Sequence, residues 1–174
     1  GGEIFFKVVS VTATETFMIA GTSATGVVTL KNCAMEPEVV ALANYLRAQG
    51  ARISGDGTPT IIIEPSHFEP NPDPFAILSD RIEAGSFIIL GALLGKNVRV
   101  SNCVPEHVGA LLEALRQMGV SVTTTRDSVT VQRPAHLQPL DLRTPEYPGF
   151  PTDLQAPMAV LLTQADGESS LLET

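Results

Sequence analysis

Residues 27–33 read Val-Val-Thr-Leu-Lys-Asn-Cys, and residues 97–103 read Asn-Val-Arg-Val-Ser-Asn-Cys. Each stretch is rich in β-branched residues and ends on the same Asn-Cys pair, which is typical of a strand followed by a fixed turn. A similar helix end follows in both places, Leu-Arg-Ala-Gln-Gly at 46–50 and Leu-Arg-Gln-Met-Gly at 115–119. We therefore interpret the chain as containing an internal repeat with a period of about 70 residues, and the fold prediction is based on this repeat.

The two copies predict the same order of elements. In the first copy the predicted helix begins at Glu36-Pro37, with proline at the first helical position, and ends at Gly50 as a left-handed cap. Two short strands follow it, and a further helical pattern precedes each Asn-Cys strand. The unit reads β-α-β-α-β-β, so the predicted fold class is α/β. The other predicted strands are 4–11, 51–54, 60–64, 121–125 and 128–132, and the other predicted helices are 15–24, 82–94 and one from Pro105.

A third copy begins near Leu140, with a predicted strand at 140–143, a helix at 153–162 and a further strand at 170–172. Residues 65–74 contain four prolines and predict a loop or hinge between the first two copies. We therefore expect the chain to be one part of a longer polypeptide. The expected parts are 1–78 as one unit, 79–139 as a complete second unit and 140–174 as the truncated start of the next.

The composition limits the classes of function. The formal charge is −8, from 11 Lys+Arg against 19 Asp+Glu, which argues against a general nucleic-acid or anionic-membrane partner. No apolar run approaches the roughly 20 residues of a membrane span. Two cysteines are typical of reduced thiols in a cytosolic protein, and their matched repeat positions favour packing over a nucleophile. From the reduced cysteines we expect a cytoplasmic location. The three histidines lie in unrelated contexts, so we expect no zinc site.

Two stretches place polar residues where a strand or loop enters a predicted helix. In Ser-Val-Thr-Ala-Thr-Glu, at 10–15, backbone N–H groups could bind an anion, or Thr12 and Glu15 could form a plain capping box. In Phe-Pro-Thr-Asp-Leu-Gln, at 150–155, Asp153 could accept a proton from a substrate hydroxyl or could only cap a helix.

A third stretch contains an unfavourably placed cation. Arg81 lies in the first turn of a predicted helix, where the helix dipole disfavours positive charge. An ion pair with Asp80 or Glu36, a ligand phosphate, or a solvated surface position would each account for it.

These motifs resemble the UDP-N-acetylglucosamine 1-carboxyvinyltransferases, the enolpyruvyl transferases of bacterial peptidoglycan synthesis. The similarity extends over all 174 residues and is most specific at 9–14, 35–38, 51–58, 80–85 and 150–156. The resemblance implies an inside-out α/β barrel of two lobes, each built from three β-α-β-α-β-β units, with the substrate cleft between the lobes. It also implies that 1–78 closes one lobe and that the chain is incomplete for this fold.

The resemblance implies transfer of enolpyruvate from phosphoenolpyruvate to the 3′-hydroxyl of UDP-N-acetylglucosamine, with release of phosphate and without a cofactor. It makes Asp153 the general base, close to the sugar, and makes Ser10, Val11 and Thr12 residues that hold the UDP-sugar. It gives supporting roles in the cleft to four further residues, Glu36, Asp80, Arg81 and Thr152. The expected partners are the two substrates and the rest of the same polypeptide.

This sequence departs from the family at two positions. Thr12 stands where the family has Gly, and Val8 stands where the family has Lys; Lys7, one residue away, would point to the opposite face of a strand. The family's catalytic-loop acid, an N-terminal Lys and several Arg residues have no counterpart here. We therefore expect this chain alone to be inactive.

Two other functions remain open on the sequence. The related shikimate-pathway enolpyruvyl transferase shares the unit, but its Ser-Ser-Gln phosphate motif is replaced here by Ser-Val-Thr at 10–12. A non-catalytic repeat module that binds a protein partner would need an exposed apolar face and no cleft.

Overall fold

In the computed structural model, the described residues are 1–67, 69 and 71–174. Phe68 and Pro70, which belong to the predicted proline-rich loop, lie outside them. The chain divides into two units, Gly1–Leu78 and Ser79–Thr174.

In its described residues, unit 1 contains two helices and a four-stranded sheet. The helices are α1 (Val11–Gly21) and α2 (Pro37–Ala48). The strands are β1 (Gly2–Phe5), β2 (Val28–Lys31), β3 (Arg52–Ser54) and β4 (Thr60–Glu64), in the spatial order β1-β2-β4-β3. β1 and β2 pair in parallel and the other neighbours pair antiparallel. The order along the chain is the predicted β-α-β-α-β-β.

The first strand ends earlier than the sequence predicts. β1 pairs with β2 as far as Phe5 and Lys31, and Phe6 N–H donates one more bond to the Lys31 carbonyl at 3.0 Å. Asn32 then takes a left-handed conformation (φ 59°), and its Nδ2 donates to the Phe6 carbonyl at 3.0 Å. Because the partner strand turns away here, the predicted strand to residue 11 is wrong, and α1 begins before residue 15.

Unit 2 contains three helices and two small sheets. The helices are α3 (Arg81–Leu94), α4 (Gly109–Gln117) and α5 (Gln155–Leu162), with 3-10 turns at Pro105–Val108 and Thr152–Leu154. Strands β5 (Val98–Ser101), β6 (Ser121–Thr124) and β7 (Ser128–Gln132) pair antiparallel in the order β5-β7-β6. β8 (Asp141–Thr144) and β9 (Ser170–Glu173) form a separate parallel pair.

The second copy differs from the first at its start. Within the described residues of unit 2, no strand precedes α3, so this copy shows α-β-α-β-β. No sheet in the described part of the chain closes into a barrel. The assignment of 79–139 as a complete unit and of 140–174 as a third copy stays a prediction.

The repeated Asn-Cys pair has the same conformation in both copies. Asn32 and Asn102 each have φ 59°, in the left-handed region that asparagine enters more readily than most residues. Cys33 and Cys103 are buried, and burial raises the pKa of both thiols, so they stay protonated at neutral pH. Buried, protonated thiols favour packing over nucleophilic chemistry at these positions.

Each unit has its own apolar core. In unit 1 the core side chains come from α1, α2 and the sheet, with Met18, Leu30, Ile61 and Ile63 fully buried. In unit 2, α3, α4 and α5 pack with the β5-β7-β6 sheet around Ile88, Leu111, Leu115 and Leu154. Among the residues described, no helix is long and apolar enough to cross a bilayer. Within the same residues, no cluster of His, Cys, Asp and Glu is placed to hold a metal ion.

Candidate functional site

Ser10 forms the N-terminal cap of α1. Its backbone is extended (φ −147°, ψ 120°), and its Oγ accepts a hydrogen bond from the Ala13 N–H at 3.2 Å. The capping box predicted for Thr12 and Glu15 is wrong, because the helix begins at Val11 and Thr12 already lies inside its first turn. Serine in this position orders the start of the helix.

Val11 and Thr12 follow the cap in the first turn of α1, where backbone N–H groups precede the helix's own hydrogen-bond ladder. Val11 is half-buried and Thr12 is exposed. Amides at such a position can donate to an anion, and the helix dipole adds to the attraction. Lys7 and Val8 lie in a bend and not in a strand, so the predicted alternation of faces does not apply to Lys7.

Thr14 ties the start of α1 to the segment that leads into α2. Its fully buried hydroxyl donates to the Ser10 carbonyl at 2.8 Å and accepts from the Ala34 N–H at 3.0 Å. This pair of bonds brings residues 10–14 close to residues 34–36. The segment that contains Ser10, Val11 and Thr12 is therefore tied within unit 1 to the segment that leads to Glu36.

Carboxylates gather beside these helix starts. Glu36 stands at the cap position of α2, where its side chain makes no cap hydrogen bond. Its Oε2 is buried and, among the described residues, has no hydrogen-bond partner. Burial raises the pKa of Glu15, and the charges of Glu38 and Glu36 raise it further. Sequence reasoning found Glu36 but missed Glu15 as its neighbour, because their proximity depends on contacts between α1 and the segment before α2.

In unit 2, Asp80 caps α3. Its Oδ1 accepts from the N–H groups of Ile82 at 2.7 Å and Glu83 at 3.1 Å. The next residue, Arg81, holds its guanidinium carbon 5.6 Å from the ring centroid of Tyr147, a cation–π arrangement. Tyr147 lies in the loop that leads to the 3-10 turn Thr152–Leu154. The structure thus gives Arg81 a partner that the sequence did not suggest.

Thr152 and Asp153 lie on that 3-10 turn. Thr152 Oγ1 donates to Glu173 Oε1 at 2.6 Å, which joins the turn to β9. Asp153 is exposed, and in the described part of the chain its carboxylate accepts no hydrogen bond. Pro151 and Leu154 occupy the cap positions of the turn and of α5, so the reading of Asp153 as a helix cap is wrong. A solvent-facing carboxylate without a competing donor is free to accept a proton from a substrate.

Comparison with known proteins confirms the predicted resemblance. The sequence profile of the EPSP synthase (3-phosphoshikimate 1-carboxyvinyltransferase) family matches residues 1–174. A UDP-N-acetylglucosamine 1-carboxyvinyltransferase from Koribacter versatilis is 46% identical, over 99% of this chain and 40% of that protein. One from Bdellovibrio bacteriovorus is 44% identical, over 100% of this chain and 42% of that protein.

A solved structure supports the predicted fold. The enolpyruvyl transferase NikO from Streptomyces tendae superposes with a TM-score of 0.81 at 26% sequence identity. The match covers 93% of this chain and 39% of that one. The chain therefore has the enolpyruvyl transferase fold, and it spans about 40% of the length of the curated relatives it matches.

Proposed function

We propose a function from one premise: the chain belongs to the EPSP synthase family, whose members named above are enolpyruvyl transferases. In the full-length protein it contributes to the transfer of enolpyruvate from phosphoenolpyruvate to the 3′-hydroxyl of UDP-N-acetylglucosamine. The relatives at 42–46% identity carry the name of this activity, which supports the choice of acceptor. The reaction supplies peptidoglycan synthesis and needs no cofactor.

The chemistry assigns a role to one carboxylate. The sugar 3′-oxygen forms a bond to C2 of phosphoenolpyruvate and gives up its proton, while the methylene carbon gains a proton. The resulting tetrahedral intermediate then loses phosphate from C2 and a proton from the methyl group, which re-forms the carbon–carbon double bond and gives the enol ether product. Asp153 takes the proton from the 3′-hydroxyl. The observation that carries this role is its exposed carboxylate, which accepts no hydrogen bond within the described residues.

Unit 1 holds the nucleotide-sugar. Ser10, Val11 and Thr12 present the cap and the first-turn amides of α1, which suit the negative charge of a diphosphate. The net charge of −8 does not oppose this role, because anion binding here depends on local donors. Thr12, in place of glycine, adds an exposed hydroxyl beside those amides.

Most of the supporting residues make contacts within the chain and so hold the site in place. Asp80 caps α3, Arg81 lies over Tyr147, and Thr152 links the catalytic turn to β9. Glu36 differs from them, because its buried Oε2 lacks a hydrogen-bond partner among the described residues. A buried carboxylate oxygen without a partner calls for an explanation beyond the fold, so Glu36 is the supporting residue for which a functional role is best supported.

The shikimate-pathway reaction is the alternative within the family. Ser10-Val11-Thr12 in place of a Ser-Ser-Gln motif disfavours it, and the names of the relatives at 42–46% identity do not support it. Offering the full-length enzyme each acceptor separates the two, because phosphate release should require UDP-N-acetylglucosamine and should not occur with shikimate 3-phosphate. The 174-residue chain alone is expected to release no phosphate with either.

Replacing Asp153 tests the proposed base. In the full-length enzyme, Asp153→Asn should lower kcat for phosphate release by two or more orders of magnitude, since general base catalysis contributes about 10²–10⁴-fold. The affinity for UDP-N-acetylglucosamine, measured by calorimetry, should change little. Glu168→Gln, which alters another exposed carboxylate of unit 2, is the matched control and should keep wild-type turnover. A kcat of Asp153→Asn equal to wild type would refute the assignment.

A further inference from the structure

A glycine inside α3 receives the side chain of Leu154. Gly85 is buried in the helix interior, where glycine is a weak helix former and its backbone does not take a left-handed conformation. A Cβ at this position would lie 2.5 Å from Leu154 Cδ1 and 3.1 Å from Leu154 Cδ2. Carbon atoms in contact prefer about 3.5–4.0 Å, so only glycine allows Leu154 to approach this closely.

Leu154 has little room to yield. It is fully buried, both of its terminal methyl groups face Gly85, and Leu111 Cδ2 flanks the same point at 3.3 Å. Because the interior of a protein is close-packed, a rotation that moves the Leu154 methyl groups away from Gly85 would bring them against other buried side chains. We therefore expect a methyl group on Gly85 to push the Leu154 side chain away from α3 and to shift the 3-10 turn Thr152–Leu154, of which Leu154 is the last residue.

That turn carries Asp153, one residue before Leu154. Within the described residues the Asp153 carboxylate accepts no hydrogen bond, so its position follows from its backbone. One helical turn before Gly85, Arg81 lies over Tyr147, in the loop that precedes the turn. Positions 81 and 85 share one face of α3, so this face holds both the loop and the turn.

We propose that Gly85 is a positioning residue for Asp153. Because glycine lets Leu154 pack directly against the α3 backbone, it fixes the distance between α3 and the turn that carries the Asp153 carboxylate. This inference rests on the proposed role of Asp153 as the base. The sequence shows Gly85 only as the last residue of Asp-Arg-Ile-Glu-Ala-Gly, and neither periodicity nor turn chemistry requires a glycine there.

The test is a double-mutant cycle in the full-length enzyme. Gly85→Ala should lower kcat roughly ten- to a hundredfold, the effect of misplacing a catalytic group by about 1 Å, with little change in KM for the UDP-sugar. In the Asp153→Asn background the same change should alter the residual kcat by less than about threefold, because the group it positions is already absent. Gly85→Ala/Leu154→Val, which removes a methylene from the clash, should recover most of the lost kcat.

Gly91 provides the matched control. It lies in the same helix, and a Cβ there would meet Val98 and Val131 at 2.9 Å, in contacts to β5 and β7 and not to the turn. Gly91→Ala should lower the melting temperature and keep kcat. If Gly85→Ala does not fold, Leu154→Ala tests the same contact, with a loss of kcat expected in the wild-type background and none in Asp153→Asn.

Each result decides between outcomes. Three results would overturn the positioning role. The first is a wild-type kcat for folded Gly85→Ala or Leu154→Ala, and the second is an equal loss of kcat in Gly91→Ala. The third is a Gly85→Ala loss of kcat that is as large in the Asp153→Asn background as in the wild type. A wild-type kcat for Asp153→Asn alone would instead overturn the proposed base. The two failures are therefore distinguishable.

Discussion

The side chains of Glu15, Glu36 and Glu38 place carboxylates near one another at the starts of α1 and α2. Burial, followed by the charges of Glu38 and Glu36, raises the pKa of Glu15 above its ordinary value of 4.5. Unfolded chains release this proton at lower pH than the folded protein does. The folded state therefore loses stability relative to the unfolded state as pH rises from 4.5 through the raised pKa.

Glu15→Gln should consequently stabilise the protein at neutral pH. We expect the melting temperature to rise by about one to a few degrees at pH 7, because the amide removes a carboxylate that ionises unfavourably. The gain should shrink as pH falls below 4.5, where both states of the wild type keep the proton. Thermal unfolding at several pH values measures the effect, with Glu64→Gln, an exposed carboxylate of β4, as the control. A gain that persists unchanged at pH 3.5 would contradict the electrostatic explanation.

Between elements, one ion pair joins the end of α2 to the turn between β3 and β4. Arg47 Nη1 and Nη2 donate to the two oxygens of Asp56 at 2.7 and 2.9 Å, and Nη1 also donates to the Ile53 carbonyl at 3.1 Å. The Asp56 side chain is only 11% exposed. Hydrogen bonds from Arg47 hold the pKa of Asp56 below its ordinary value of 3.8. Geometry of this kind makes the pair stronger than an ordinary surface salt bridge.

Asp56→Asn should therefore destabilise unit 1 at neutral pH, by about 1–3 kcal/mol, because the guanidinium loses its charged acceptor. A lowered folded-state pKa contributes stability above 3.8 that is lost as pH falls through the lowered value. The difference in free energy of unfolding between Asp56→Asn and the wild type should thus be smaller in acid. Urea unfolding at pH 7 and pH 3 measures it.

The second copy supplies the control for this pair. Arg116 approaches Glu113 only to 3.9 Å, with both side chains about half exposed, so Glu113→Gln should change stability by less than about 0.5 kcal/mol. Equal losses of stability in Asp56→Asn and Glu113→Gln would show that the bidentate geometry of the Arg47–Asp56 pair contributes nothing to stability.

Local signals predicted most of the elements. Proline at the start of α2, the glycines after α2 and α4, and the β-branched residues of 60–64 and 128–132 located helices and strands to within a residue or two. The end of β1 was not predictable in this way, because it depends on Asn32, which follows the partner strand β2. Asp153 was predicted because its motif is local in the sequence. The contact of Leu154 with Gly85 was not predicted, because it forms only when distant helices pack together.

On the scale of the whole molecule, α1, α3 and α5 are each apolar on more than their core face. Phe17 and Ile19 of α1, and Val160 of α5, are exposed. In α3, Phe87, Leu90 and Leu94 line an open apolar groove of about 450 Å³ together with residues of β5. A helix that is apolar all round is normally buried on all sides. Because the chain spans about 40% of its relatives' length, we propose that the rest of the polypeptide covers these faces.

Leu90→Asp tests this proposal in the full-length protein. The Leu90 side chain is 46% exposed in this chain, so a charge would be tolerated if the groove faced water. If other parts of the polypeptide cover it, the buried charge should cost about 3 kcal/mol or more and should lower the melting temperature by several degrees. Ile77→Asp, at a position 91% exposed, is the control and should change stability by less than about 0.5 kcal/mol. A Leu90→Asp protein as stable as Ile77→Asp would leave the groove open to solvent and would favour the repeat-module alternative, which needs an exposed apolar face.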